Sequence, residues 1–326
     1  MFYLETGNTD PCFNLAFEEF VLRNRSSGDW LILWQNANTI VIGLNQNAEE
    51  EINRPFVMEK DITVVRRMTG GGAVYHDLGN LNYSFLSDLG DAGTLCMDRF
   101  TAPVCRALRA MGVQAEASGR NDITVNGKKI SGTAQRIFRD RVLHHGTLLF
   151  DSDPEKIAGA LNAQPDKFVS KSAKSVRSRV GNIRDFLRTD MELPEFWSRL
   201  LDELSGGGLV RATLSEAELA EVRSCADAKY RSWDWTYGRS PDYNFKNKRR
   251  FPGGTLCVEL FVQDGRIKSA SFQGDFMAMC DNSQAVRALL GTPFDRASSQ
   301  AALETLNLAP MFGAIGLDDI LDTIYG

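Results

Sequence analysis

The stretch Arg66-Arg67-Met68-Thr69-Gly70-Gly71-Gly72-Ala73-Val74-Tyr75-His76-Asp77-Leu78-Gly79-Asn80 concentrates residue types that can do chemistry. Two cations precede three consecutive glycines. A β-branched run at 62–65 precedes the cations, so the glycines are predicted where a strand ends. Glycine lacks a Cβ, so it lets the backbone approach a ligand closely and adopt positive φ. Successive N–H groups in such a loop form an anion-binding concavity, and guanidinium groups beside it add fixed positive charge. Capture of a phosphate-bearing or carboxylate-bearing ligand is the chemistry this suits. A flexible surface turn is the bland alternative, against which the arginine pair and the Ala-Val-Tyr-His-Asp flank both weigh. No Gly-Lys-Ser/Thr closes the stretch as a P-loop, and the G-x-G-x-x-G dinucleotide spacing is absent.

The elements that must position this loop are marked by local signals. Asp10-Pro11 caps and opens a helix whose core face is Phe13, Ala16, Phe17, Phe20 and Val21. Short apolar runs at 30–34, 39–42, 62–65, 81–86, 123–125 and 146–150 read as strands, with a helix over 99–111 between them. Asn126-Gly127 between apolar stretches signals a tight hairpin turn. Later helices are announced by Asp153-Pro154, by Pro194, and by the capping box Ser215 to Glu218. Residues 241–250 are polar and basic and read as a linker. Beyond it, 254–262 and 266–273 are predicted to pair around Asp264-Gly265, and helices follow near 283–290, 299–306 and 317–324. The expected class is mixed α+β. A catalytic domain over residues 1–243 is followed by a small α+β accessory domain over 248–326.

Composition excludes several classes. The net charge of −5 disfavours nucleic acid as a partner. No apolar run is long enough to span a membrane. The start Met1-Phe2-Tyr3-Leu4-Glu5 has no basic segment and no apolar signal core, so a cytoplasmic location is expected. Six cysteines without a C-x-x-C pair are expected as reduced thiols, and with three histidines they offer no zinc cluster. Lys171, Lys174, Arg177, Arg179, Arg184 and Arg188, interleaved with serines and Gly181, read as a basic loop able to close over an anion.

Taken in order, Arg-Arg-x-x-Gly-Gly-Gly-Ala-Val-x-His-Asp-x-Gly-Asn, Gly119-Arg120-Asn121-Asp122-Ile123, Lys129-Ile130-Ser131-Gly132-Thr133-Ala134 and His144-His145-Gly146-Thr147-Leu148-Leu149 form an ordered set. With Lys174-Ser175-Val176-Arg177-Ser178-Arg179-Val180 and Trp233-Asp234-Trp235, the set resembles lipoate–protein ligase A over nearly the whole chain. The tail from Phe251-Pro252-Gly253-Gly254 is similar to the accessory domain of the bacterial two-domain members.

The resemblance implies a fold shared with biotin–protein ligases, a mixed sheet flanked by helices. It implies that lipoate and ATP form lipoyl-AMP with Mg²⁺. The acyl group then passes to a lysine of a lipoyl domain, on the E2 subunit of a 2-oxoacid dehydrogenase, or of the glycine-cleavage H protein. The meeting of a carboxylate with a triphosphate demands fixed positive charge. The family's central lysine falls on Lys129, and its motif arginine on Arg67. Gly72, Ala73, Val74 and Tyr75 map to the backbone segment that reads the adenine edge. Arg177 and Arg179 map to the adenylate loop. Thr69, Gly70 and Gly71 would line the lipoyl end, with His76 and His145 as further contacts to the acyl chain or as structural histidines. Asp122 is a candidate Mg²⁺ ligand or a turn cap. The first helix (Phe13, Leu15, Phe17) is either a tunnel wall or plain core. Two other readings stay open. Octanoyl transfer needs a nucleophilic cysteine, and none is placed near Lys129 or His145 in the sequence. A non-catalytic lipoate-binding paralogue would share the fold.

Overall fold

The computed structural model describes residues 1–90, 96–161, 179–238, 244–263 and 265–325. The elements run β1 (Phe2–Glu5), α1 (Pro11–Asn24), β2 (Trp30–Trp34), β3 (Thr39–Ile42), α2 (Ala48–Glu51), α3 (Arg54–Glu59), β4 (Thr63–Arg66), β5 (Val74–His76), β6 (Asn80–Asp88), α4 (Asp98–Ala110), β7 (Glu116–Ser118), β8 (Asp122–Val125), β9 (Lys128–Phe138), β10 (Arg141–Leu149) and α5 (Pro154–Ala160). They continue with α6 (Leu193–Ser205), β11 (Val210–Arg211), α7 (Glu216–Cys225), α8 (Trp233–Thr236), β12 (Phe245–Phe251), β13 (Gly254–Gln263), β14 (Arg266–Gly274), α9 (Ser283–Leu289), α10 (Arg296–Glu304), α11 (Ala309–Phe312) and α12 (Leu317–Tyr325).

Eight strands form a mixed sheet in the order β11-β1-β2-β6-β10-β9-β8-β7. β1 runs parallel to β2 and β11, and the pairs from β2 to β7 are antiparallel. All five residues of β2, Trp-Leu-Ile-Leu-Trp, are buried, because helices cover both faces of the sheet. Leu31 and Leu33 join Val104 and Leu108 of α4 and Phe196 and Leu200 of α6. Ile32 and Trp34 point the other way, into a cluster with Phe17 and Val21 of α1 and Val222 of α7. A three-stranded sheet, β4-β3-β5, carries the glycine loop between β4 and β5 and buries Ile40, Ile42 and Tyr75 against α3 and α5.

The third sheet, β12-β13-β14, packs on the last four helices around Leu256, Val258, Phe272, Leu289 and Ile320. The linker expected over 241–250 is strand from Phe245 onward. β12 is an edge strand, where lysine and arginine block further pairing, so its charge reads like a loop while its backbone is in the ladder. The small unit is joined to the large one at the glycine loop, at the segment after β3 and at the turn between β7 and β8. Gly274 N–H donates to Asn45 O at 2.7 Å, and Gly71 N–H to Phe276 O at 3.5 Å. The Arg120 guanidinium donates to the carbonyls of Gly253 and Asp275.

Candidate active site

The α1-facing side of the large sheet forms the floor of a cleft. Side-chain alternation puts residues two apart on one face, and cross-strand partners share it. Trp34, Asn82 and Thr147 make one such row, and Gly132 extends it by donating its N–H to Thr147 Oγ1 at 3.1 Å. Ile32, Ser84, His145 and Ala134 make the next row inward. The cleft encloses about 560 Å³ of empty space including its open mouth. Gly72, Ala73, Val74 and His76 close it from the glycine loop and β5, and Leu15 from α1.

The inner wall is wired by one chain of hydrogen bonds. Trp34 Nε1–H donates to Ser84 Oγ at 2.9 Å, and Ser84 donates to Glu18 Oε1 at 2.6 Å. His145 Nδ1 lies 2.9 Å from the same carboxylate oxygen. A carboxylate accepts, so Nδ1 carries the proton. His145 Nε2 meets Thr69 Oγ1 at 2.8 Å, and Thr69 Oγ1 accepts from Arg67 Nε at 2.9 Å. The rest of the Arg67 guanidinium donates to the carbonyls of Val41, Gly70 and Gly72. Arg67 thus fixes the shape of the glycine loop from behind and lines the cleft with its buried positive charge. Burial pulls its pKa down to about 10 while the Glu18 carboxylate opposes that shift, so it stays cationic at neutral pH. Arg66 is fully buried and spends its guanidinium on the carbonyls of Gly43, Leu44, Gln46, Trp235 and Thr236. It splints the fold and does not face the cleft. Burial, with the nearby charge of Arg67, pushes His76 down to about 3, so its ring is neutral. Asn36 bonds its Nδ1, and among the described residues its Nε2 has no hydrogen-bond partner.

At the mouth, Lys129 follows the Asn126-Gly127 turn, where both residues take positive φ (51° and 76°). Its N–H donates to Arg179 O at 2.6 Å and its carbonyl accepts from Gly181 N–H at 2.9 Å, so residues 179–181 run beside it. Its ammonium lies 2.7 Å from Asp122 Oδ1.

The structure therefore gathers Arg67, Gly72, Ala73, Val74, His76, Lys129 and His145 around one cleft, and sets the Arg179 backbone against Lys129. Tyr75 points away from it and donates to Asn38 Oδ1. Thr69 stands behind the wall. A Cβ on Gly70 would meet Phe276 O at 2.8 Å, so this glycine serves the close approach of the small unit, whereas Gly71 takes a positive φ of 87° and a Cβ there would crowd the Arg67 guanidinium at 3.0 Å. Of the first helix, Leu15 reaches the cleft, while Phe13 and Phe17 stay in the core. Arg177 lies outside the described residues. Among the described residues, no group of three or more His, Cys, Asp or Glu side chains is arranged to hold a metal ion. No helix among them is long and apolar enough to cross a membrane. Glu18, Trp34 and Asn82 were not singled out from the sequence. The one signal available for Glu18 was a carboxylate inside the buried face of an apolar helix, and for Asn82 an amide inside a buried strand.

Comparison with known proteins shows the family. Residues 10–205 match the lipoyl protein ligase A/B catalytic domain, and residues 240–324 match the bacterial lipoate protein ligase C-terminus. The chain is 42% identical to the lipoate–protein ligase LplJ of Bacillus subtilis over 332 residues, covering all of both chains. Among solved structures, Plasmodium falciparum LipL1 in complex with lipoate superposes with a TM-score of 0.79 at 25% identity, over 98% of this chain and 96% of that one. A lipoate–protein ligase A bound with ATP superposes with a TM-score of 0.60 at 29% identity, over 73% and 97%. The bipartite ligase of Thermoplasma acidophilum, studied with its E2 lipoyl domain, gives 0.63 at 30%, over 75% and 98%. The mixed sheet and its flanking helices are the lipoate-ligase fold, and the chain, which carries both the catalytic domain and the bacterial C-terminal domain, belongs to the lipoate–protein ligase family of enzymes.

Proposed function

We propose that this chain activates free lipoate with ATP and transfers the lipoyl group to a lysine of an acceptor protein. In the first step a carboxylate oxygen of lipoate bonds to the α-phosphorus, and the bond to pyrophosphate breaks. In the second, an acceptor ε-amine bonds to the acyl carbon, AMP leaves and a proton is released. The observation that carries the reading is the shape of one cleft. Its inner wall (Leu15, Trp34, Val41) is apolar enough for an acyl chain, and its mouth holds Lys129 beside the backbone of Gly72 to Val74. Lys129 would neutralise the carboxylate and the phosphate as they meet, in a site where oriented donors count for more than in water. Gly72, Ala73 and Val74 would read the adenine edge through main-chain groups, with Arg177 and Arg179 on the loop that covers the adenylate. Mg²⁺ would arrive on the ATP phosphates, as it commonly does. Asp122 is the carboxylate beside Lys129, and its partner in the structure is the lysine.

The acceptors that fit are lipoyl domains of E2 subunits and the glycine-cleavage H protein. Residues 1–243 would act as the catalytic unit and 248–326 as the accessory unit. The cytoplasm is the compartment that suits an ATP-consuming step. Octanoyl transfer lacks its nucleophile here, since no cysteine is among the residues lining the cleft. Incubating the protein with lipoate, ATP, Mg²⁺ and, in separate reactions, a lipoyl domain or a glycine-cleavage H protein tests the reading by intact-protein mass. A gain of one lipoyl group per acceptor lysine, dependent on ATP, supports it. No gain with either acceptor class overturns it.

A further inference from the structure

The pairing of β8 with β9 is irregular in one place. Asp122 opposes Gly132 and Ile123 opposes Ser131, but Thr124 opposes Lys129, so Ile130 is an extra residue in β9. Asp122 and Thr124 are two apart on β8 and share a face. Their partners Gly132 and Lys129 therefore share that face too, although they lie three positions apart. In a regular strand an odd spacing puts two side chains on opposite faces. The extra residue thus turns Lys129 onto the floor of the cleft, the use to which bulges beside active sites are put. The lysine then folds back over its own strand. A Cβ built on Gly132 would sit 3.0 Å from Lys129 Nζ and 3.1 Å from its Cε. The ammonium ends 2.7 Å from Asp122 Oδ1. Three features thus fix a side chain that otherwise has four freely rotating bonds: the inserted Ile130, the bare Gly132 and the Asp122 carboxylate.

We propose that Asp122 is a positioning residue for Lys129, holding its ammonium over Gly132 until the carboxylate and phosphate replace it as partners, and that it does not act as a metal ligand. The inference rests on the proposed adenylating role of Lys129. Both groups of the pair are about one-third exposed, so the pair can exchange partners when ligands enter. Loss of the carboxylate leaves the cation present but undirected, and misplacement of a reacting group by about 1 Å can cost about 100-fold in rate.

The test is lipoate-dependent exchange of pyrophosphate into ATP, measured with Mg²⁺ varied. Asp122→Asn is expected to lower kcat by about 10- to 100-fold, with KM for ATP and lipoate and the half-saturating Mg²⁺ concentration unchanged. Gly132→Ala, which pushes the ammonium off its seat without changing charge, is expected to lower kcat in the same way. The double variant is expected to be no worse than Asp122→Asn alone. An Asp122→Asn enzyme with normal kcat, or one restored by excess Mg²⁺, overturns the inference, as do losses that multiply in the double variant. Lys129→Ala separates the layers. Exchange that survives in that variant contradicts the role of Lys129 itself, whereas exchange lost there but intact in Asp122→Asn contradicts the positioning role alone. Thermal melts that match the parent confirm that each variant is folded.

Discussion

The inner wall of the cleft and its mouth are built on opposite principles. At the wall, Glu18, His145, Thr69 and Arg67 are buried, and each satisfies its neighbour. At the mouth, the side chains of Lys129 and Asp122 are open to solvent over about a third of their surface and pair with each other. A buried network that is fully bonded has one arrangement and resists change. A half-exposed ion pair is worth little to stability and can be traded for a new partner. The wall is thus suited to receiving a fixed shape, and the mouth to meeting charges that change during a reaction. Damage to the mouth should cost rate and damage to the wall should cost folding.

The largest expected effect is at the mouth. Lys129→Ala should lower adenylation by about 10²- to 10³-fold, the usual loss for a removed electrostatic stabiliser, while its melting temperature stays at the parent value. A steady-state pyrophosphate assay beside a thermal melt checks both halves. Next comes the wall. Glu18→Ala strands the His145 Nδ1–H and the Ser84 hydroxyl in a buried place, and each orphaned group costs about 1–3 kcal/mol. Urea unfolding should show that loss directly, and an unchanged midpoint would break the contrast. Smaller again is Gly70→Ala, where the new Cβ meets Phe276 O and must push the small unit away. Steric misfits of this kind cost about 1–3 kcal/mol. Faster proteolysis between the two units in that variant would show that the contact is needed to dock them.

The mildest effect is on pH. Burial pushes His76 and His144 down to about 3 from an ordinary 6.5. The unfolded chain therefore binds more protons than the folded one between those values, and stability must fall as pH drops below 6.5. At pH 6 the loss is under about 1 kcal/mol per histidine and grows with further acidification. His144 sits between Phe100 and Tyr83, behind the floor of the cleft, so His144→Gln should flatten the pH–stability curve without touching catalysis. Urea midpoints measured from pH 7 down to pH 5 check the slope.

Much of the scaffold was legible because its signals are local. Asp10 caps α1 by accepting from Cys12 N–H, Asn126-Gly127 makes the hairpin turn, and Ser215 and Glu218 form the reciprocal box. Lys129 and the glycine loop were legible through their motifs. The wall was not. Trp34 and Asn82 lie in strands buried on both sides, and in sequence such positions look like core. Arg66 and Arg67 looked equally available to a ligand, yet Arg66 is consumed by five backbone carbonyls. Adjacent residues on a strand face opposite ways, and only the fold tells which side holds the cleft. The bulge at Ile130 was equally hidden, since it exists only in the register between two strands.

The most direct measurement mixes the protein with lipoate and MgATP in the absence of acceptor, quenches it in acid, and separates the products by chromatography and mass. One lipoyl-AMP per protein with one pyrophosphate released is expected, and almost none from Lys129→Ala. Pyrophosphate or AMP appearing without the mixed anhydride, or an equal yield from Lys129→Ala, would contradict the account.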